Sequence, residues 1–337
     1  MTEIVLIANA GDGTISTLRL HRGDRPRLKV LATTGGLEGC GTFAVDRGRD
    51  LVYAAYKGDQ AGIATLSLDR ETGQLTERSR TTVEASMTYL ELSREATLLL
   101  GASYGGGVGL VWPVQDGTLG APTARTENAN LHCVVAHAGH AWFVSLGDDL
   151  VSQHALSAEG ELSPLDPPTV PMPDGSGPRH LILDRDSSTA YLVTEYSGEL
   201  FRLTLDDDGT LQPHETVSFV DPSQGLSHSR MDADPLEEHL IWGADVGVAG
   251  DVVLASERTS SLMTSVPLTD GRLGEPVAFT PVPTQPRGFR VSDDGRYVVS
   301  VGERATEAVL LEVGQDGTLT QVDVAGIGNG ANWVRFV

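Results

Sequence analysis

The sequence predicts an all-β fold, a ring of seven four-stranded blades forming one domain over residues 1–337, and three observations predict it. The first is a motif that recurs seven times, an acidic or glycine turn followed by leucine. It ends at Leu28, Leu75, Leu119, Leu162, Leu211, Leu273 and Leu319, at spacings of 47, 44, 43, 49, 62 and 46 residues. A period in the forties made of short β segments and Gly/Asp turns is the mark of a β-propeller. The second is the alternation of apolar and polar residues between the turns, as in Leu-Phe-Arg-Leu-Thr-Leu205, which has the two-residue period of a strand. The third is an unmatched end. The first copy, residues 4–28, holds only three strands, and the missing innermost one reads as Asn-Trp-Val-Arg-Phe-Val over 332–337. Pairing the two termini closes the ring and removes a free sheet edge.

Six full copies follow the same grammar: Gly41–Leu75, Met87–Leu119, His132–Leu162, Arg179–Leu211, Ser229–Leu273 and Arg287–Leu319. In the clearest, a turn is expected at 185–188 between Arg-His-Leu-Ile-Leu-Asp184 and Thr-Ala-Tyr-Leu-Val-Thr-Glu195. The sixth copy is the longest. Its excess is assigned to 234–250, as a surface insertion between strands, a flap over a site or an oligomer contact. The proline-rich run 164–173 reads as a loop between blades, because the repeat stays in phase on both sides.

Charge narrows the partners. Twenty-four Lys and Arg oppose 46 Asp and Glu, a net charge of −22, which argues against nucleic acid and anionic membrane surfaces. No stretch approaches the roughly 20 apolar residues of a membrane span, and the N-terminus lacks the features of a secretory signal. Two widely separated cysteines, Cys40 and Cys133, fit a reducing compartment, so a cytoplasmic monomer or homodimer is expected.

Strand direction locates the chemistry. In each blade the start of the innermost strand and the end of the second converge on one mouth of the central channel. Strand-one starts offer Thr42, Thr88, His132, Arg179 with His180, His228 with Arg230, Arg287 and Trp333. Strand-two ends offer Asn9, Tyr56, Tyr104, Asp148, Glu195 with Tyr196, Glu257 with Arg258, and Glu303 with Arg304. A strongly acidic protein thus gathers arginines at one end of its axis. They either pair with Glu195, Glu257 and Glu303 as structural ion pairs or form a pocket for a small oxygen-rich anion.

Several stretches carry a family resemblance: Ala-Ser-Tyr-Gly-Gly-Gly over 102–107, Gly-Ser-Gly-Pro-Arg-His-Leu over 175–181 with Tyr-Leu-Val-Thr-Glu over 191–195, Ala-Ser-Glu-Arg over 255–258, and Gln-Pro-Arg-Gly-Phe-Arg-Val-Ser-Asp-Asp-Gly over 285–295. Over nearly its whole length the chain resembles the seven-bladed propeller lactonases. That family includes bacterial propeller-type 6-phosphogluconolactonases and fungal 3-carboxy-cis,cis-muconate cyclase. The resemblance implies that the histidine, two arginines and glutamate proposed for the cyclase fall on His132, Arg179, Arg258 and Glu195. The chain departs from the family's pattern at Asn-Leu-His-Cys133, at Ser-Glu-Arg-Thr259 and at Glu303-Arg304.

These residues suit the hydrolysis of a sugar-derived lactone. His132, with an ordinary imidazole pKa of about 6.5, is the expected base for water. Arg179 and Arg258 would hold the anion and the developing oxyanion. Glu195 would orient an arginine or the histidine, or share the proton work. His180, Arg287, Tyr104, Tyr196 and His228 would contact the substrate. A cycloisomerase using the same pocket and a non-catalytic binding propeller are the alternatives. The latter is disfavoured by only 18 aromatic residues and by Gly, Asp and Ser loop tips.

No cofactor is expected. His132 and His137 fall on opposite faces of one strand, so the His132, Cys133, His137, His140 spacing does not make a zinc site. Asp206–Gly209 is the repeat's ordinary turn rather than a calcium loop. The glycine clusters precede no helix, and no Gly-x-Ser-x-Gly elbow occurs.

Overall fold

Two of the three Asp-Gly-Thr-Leu turns are held by their own side chains. Asp208 Oδ1 accepts from the Thr210 amide at 3.0 Å and from its hydroxyl at 2.7 Å, and Asp316 grips Thr318 in the same way. The intervening glycine takes a positive φ, +86° at Gly209, where a Cβ would also collide with the His140 ring of the preceding blade. The leucine is then the first or second residue of the next strand, and Leu28, Leu75, Leu119, Leu211 and Leu319 are buried. The motif recurs because every blade needs the same tight reversal and the same apolar plug between neighbours.

The computed structural model describes residues 2–184 and 187–337. It shows seven antiparallel sheets in a ring. The innermost strands run in chain order Thr42–Asp46, Tyr89–Leu92, Leu131–His137, Pro178–Leu183, Gly243–Ala249, Gly288–Val291 and Ala331–Phe336. The last belongs to the first blade and pairs with Thr2–Asn9, with Val5 opposite Phe336 and Ile7 opposite Val334. Closure is as expected, one residue earlier than 332–337. The Trp333 indole donates to the Phe43 carbonyl at 2.9 Å, which ties this strand to the second blade. Adjacent blades clamp apolar side chains such as Phe43, Trp142 and Tyr191 between them, so the core is a ring of interfaces around the channel. Among the described residues no helix is long and apolar enough to cross a membrane. The turn expected at 185–188 lies partly outside the described residues.

Two expectations about segments are corrected. Residues 234–250 are not the insertion, because Gly243–Ala249 is the innermost strand of blade 6. The extra chain is 219–242, which carries a short 3₁₀ turn and the helix Pro235–Glu238 capped by Asp234. The sixth blade's first strand therefore does not start at Ser229. The proline-rich run is also mostly strand: Leu162–Pro171 is the outer edge of blade 4, with a cis peptide at Asp166–Pro167. An outermost strand needs no outward N–H partner, so proline is tolerated there.

Candidate active site

Four innermost strands break register at their starts, three of them in blades 4, 5 and 6. Pairing skips His132 in blade 4, Arg179 in blade 5, and Ala244 with Asp245 in blade 6. Such bulges leave an extra residue unpaired and re-aim its side chain. Arg179 and His180, adjacent in sequence, consequently meet, with Arg179 Nη1 3.3 Å from His180 Nε2.

The structure brings His132, Arg179, His180, Glu195, Arg258 and Arg287 together at one mouth of the channel. Glu195, just past the second strand of blade 5, is the hub. Its Oε2 lies 2.8 Å from Arg179 Nε and 2.8 Å from Arg258 Nη2, and its Oε1 accepts from the Trp242 indole at 3.2 Å. Arg258 stacks on Trp242 with its guanidinium carbon 3.9 Å from the ring centroid, and it donates to the Gly243 carbonyl at 3.0 Å. Arg179 also donates to the Ala244 carbonyl. Both arginines are almost fully buried, 1% and 2% exposed. Arg179 Nη2 and Arg258 Nη1 make no hydrogen bond among the described residues and remain available. Arg287, about a third exposed, pairs with Glu303 at 2.8 Å.

Electrostatics follow from this packing. Burial alone would raise the Glu195 carboxyl, but Arg258, Arg179, Arg287 and the Trp242 N–H outweigh it and hold it below the usual carboxylate range. Burial and the neighbouring guanidiniums pull Arg258 down to about 9, against the pull of Glu195, so it remains cationic at neutral pH. His180 is pushed down to about 4 by burial and by Arg179. Its Nδ1 lies 2.8 Å from the Asp245 carboxylate, which fixes the Nδ1–H tautomer and leaves Nε2 to accept from Arg179. Asp245 is itself held by the Val246 and Phe289 amides.

His132 is buried, with its ring centroid 5.1 Å from that of His180, and its Nδ1 has no partner. Burial first, then Arg179, His180, Arg287 and Arg258, keep its pKa well below 6.5. The expectation of an ordinary value is corrected: His132 is neutral at pH 7, a weaker base than a free imidazole.

Tyr104 stands edge-on to His132 at 5.9 Å, and both Tyr104 and Tyr196 point their hydroxyls at Met231 Sδ. Met231 and Trp242 both belong to the 219–242 insertion, which therefore arches over the site. His228 does not start an innermost strand. It is exposed on this insertion, and its Nδ1 bonds to the Ser229 carbonyl rather than to the arginine cluster. The blade 6 strand begins fifteen residues later, which is why strand phase misplaced it. Among the described residues Glu257 pairs with no arginine and instead accepts from the amides of Trp242, Thr259 and Ser260. Trp242 and Asp245 were missed altogether, because both lie in the segment taken for, or beside, the insertion. The signal that could have found them is the short run Trp-Gly-Ala-Asp245, in phase with the other strand starts. Among the described residues no group of three His, Cys, Asp or Glu is arranged to hold a metal ion.

Comparison with known proteins agrees with this architecture. Residues 4–336 match the family described as "Lactonase, 7-bladed beta-propeller". The 6-phosphogluconolactonase of Sodalis glossinidius is 25% identical over 347 residues, covering 100% of this chain and 99% of that protein. The 6-phosphogluconolactonase of Enterobacter sp. is 26% identical over 344 residues, covering 99% and 98%. The solved structure of the periplasmic gluconolactonase PpgL of Pseudomonas aeruginosa superposes with a TM-score of 0.87 at 22% identity, covering 100% and 99% of the two chains, a likeness of fold. With its blades, its closure and nearly its full length accounted for, the chain belongs to the seven-bladed β-propeller lactonases.

Proposed function

We propose that this lactonase opens a sugar-derived lactone of the 6-phosphogluconolactone kind at the Arg179–Glu195–Arg258 mouth. The observation that carries the reading is the shared carboxylate. Glu195 fixes two guanidiniums in place while one nitrogen on each stays free to donate. A preorganised pair of cationic donors in a nearly dry site suits the oxyanion of a tetrahedral intermediate.

Water adds to the lactone carbonyl carbon, and its proton passes to His132, which is neutral at pH 7 and lies beside the guanidiniums. The carbonyl oxygen becomes the oxyanion, held by Arg179 and Arg258. The intermediate collapses by breaking the bond from the carbonyl carbon to the ring oxygen, which takes the proton back from the imidazolium. The three nearby guanidiniums that weaken His132 as a base make that imidazolium a strong acid for this return. The product is an open hydroxy acid, and no proton remains on the protein. Asp245 and His180 hold Arg179 from behind without titrating near neutrality.

The test is a pH-stat assay with 6-phosphoglucono-δ-lactone and glucono-δ-lactone on wild type, His132→Ala and Arg179→Lys. Each variant should lose about 10²–10³-fold in kcat, the range for removing one preorganised donor or one acid–base group. The melt of His132→Ala should fall only by what its ring packing against Tyr104 and His180 contributes, since its Nδ1 has no partner among the described residues. Full activity in both variants would overturn the site.

A further inference from the structure

The mouth does not end at the arginine cluster. On the side of blades 1, 2 and 7 it opens into a cavity of about 610 Å³. Trp242 is the wall between the two compartments, since it lines the cavity while bonding Glu195 and stacking on Arg258. Arg287 is the link: it lines the cavity and its charge is felt by His132, Arg179, Arg258 and Glu195.

The lining has two kinds of unmet demand. Lys57 and Arg304 are exposed cations that reach no carboxylate within ion-pair distance among the described residues. The cavity's own carboxylate, Glu303, is already spent on Arg287 and on Gln285 Nε2, both at 2.8 Å. The second demand is for donors. Gln285 and Asn332 line the same space, and their Oε1 and Oδ1 are buried in its wall and accept no hydrogen bond among the described residues. Asn332 is also the residue skipped where the closing strand breaks register, the counterpart in blade 1 of His132 and Arg179. A buried acceptor without a donor costs about 1–3 kcal/mol. A guest that supplies hydroxyls along its length and a dianion at its end meets both demands.

We infer that this compartment is a specificity subsite for the phosphorylated polyol tail of an aldonolactone. Lys57 and Arg304 take the phosphate, and Gln285 and Asn332 take chain hydroxyls. This rests on the lactonase reading, with the lactone ring at Arg179, Glu195 and Arg258. A phosphate carries about 1.5–2 negative charges at pH 7, enough to engage two mobile cations at once. Gluconolactone without phosphate would leave both unused.

The experiment compares wild type, the double variant Lys57→Met/Arg304→Met, and the charge control Arg94→Met, which is exposed at the far end of blade 3's innermost strand. Turnover is read on 6-phosphoglucono-δ-lactone and glucono-δ-lactone, and calorimetric binding on 6-phosphogluconate and gluconate. The double variant should lose on the order of tenfold or more in kcat/KM for the phosphorylated lactone alone, as expected for lost charge-assisted hydrogen bonds. The Arg94→Met control should change neither. Wild type should bind 6-phosphogluconate more tightly than gluconate, and the double variant should not. Equal losses on both lactones, or no phosphate preference in wild-type binding, would overturn the subsite even if lactone turnover is intact. A wild type that discriminates the two acids but hydrolyses neither lactone would overturn the lactonase reading and leave the phosphate subsite standing.

Discussion

The channel has arginines at both mouths, but only one mouth has them organised. At the upper mouth Arg179 and Arg258 converge on Glu195, and the innermost strands of blades 4, 5 and 6 bulge to aim their side chains. At the lower mouth Arg290 and Arg335 line or flank a cavity of about 450 Å³ with Glu91, and neither arginine reaches a carboxylate within ion-pair distance among the described residues. Arg335 lies instead over the Trp333 ring at 4.0 Å. The strands end there in unbroken register, with His137 opposite His140, Leu183 opposite Ala190 and Ala249 opposite Val252. Charge alone therefore does not distinguish a site from an opening. What differs is whether the charges are bonded to one another, because only bonded groups keep their geometry when a substrate's charge develops.

Replacing the two glutamates should expose this contrast most strongly. Glu195→Gln would leave two buried guanidiniums without their carboxylate. Breaking a buried pair this way costs about 3–5 kcal/mol, which a urea titration reads as a lower midpoint, and lactone turnover should fall with it. Glu91→Gln removes a carboxyl that no arginine contacts, and its midpoint should move little. Equal shifts for the two variants would erase the distinction.

A milder probe is Trp242→Phe. The aromatic face under Arg258 survives, while the N–H to Glu195 is lost. A net hydrogen bond to a charged group is worth about 1.5–3 kcal/mol, so the melt should fall with it and kcat/KM should fall by roughly ten- to a hundredfold. An unchanged kcat/KM would show that Glu195 needs only its arginines.

The two mouths also differ in how far the sequence reveals them. The turn–leucine repeat and strand direction were enough to bring His132, Arg179, Glu195, Arg258 and Arg287 to one mouth. Those residues are local to strand ends, and a strand end is a local property. Blade 6 was misread because Gly-Ala-Asp-Val-Gly-Val-Ala249 is poor in β-branched and aromatic residues, while the insertion before it is long enough to mimic a strand start. The Asp245–His180 contact joins residues 65 apart, and only the ring brings blades 5 and 6 together. No spacing along the chain encodes that Trp242 bridges Glu195 and Arg258. The prolines of 164–171 read as loop because an edge strand and a loop share the same freedom from outward hydrogen bonding.

The smallest effect lies in acid titration, where the two glutamates should act with opposite sign. The folded pKa of Glu195 lies below its ordinary 4.5, so below that value the unfolded chain holds the extra proton. Its contribution is complete above 4.5 and is lost as pH falls through the folded value. Burial raises the Glu91 pKa above 4.5, against Arg335 and Arg290, so there the folded chain holds the extra proton. Its contribution is complete below 4.5 and is lost as pH rises through the folded value. The difference in urea midpoint between wild type and Glu195→Gln should therefore shrink as pH falls below 4.5, and that between wild type and Glu91→Gln should change as pH rises above it. The Glu91→Gln chain should be as stable as wild type or slightly more so at pH 7, because it removes a carboxyl whose ionisation desolvation disfavours. A loss of stability at pH 7 in that variant would mean that Glu91 is bound to Arg290 or Arg335 after all, and that the lower mouth is as organised as the upper one.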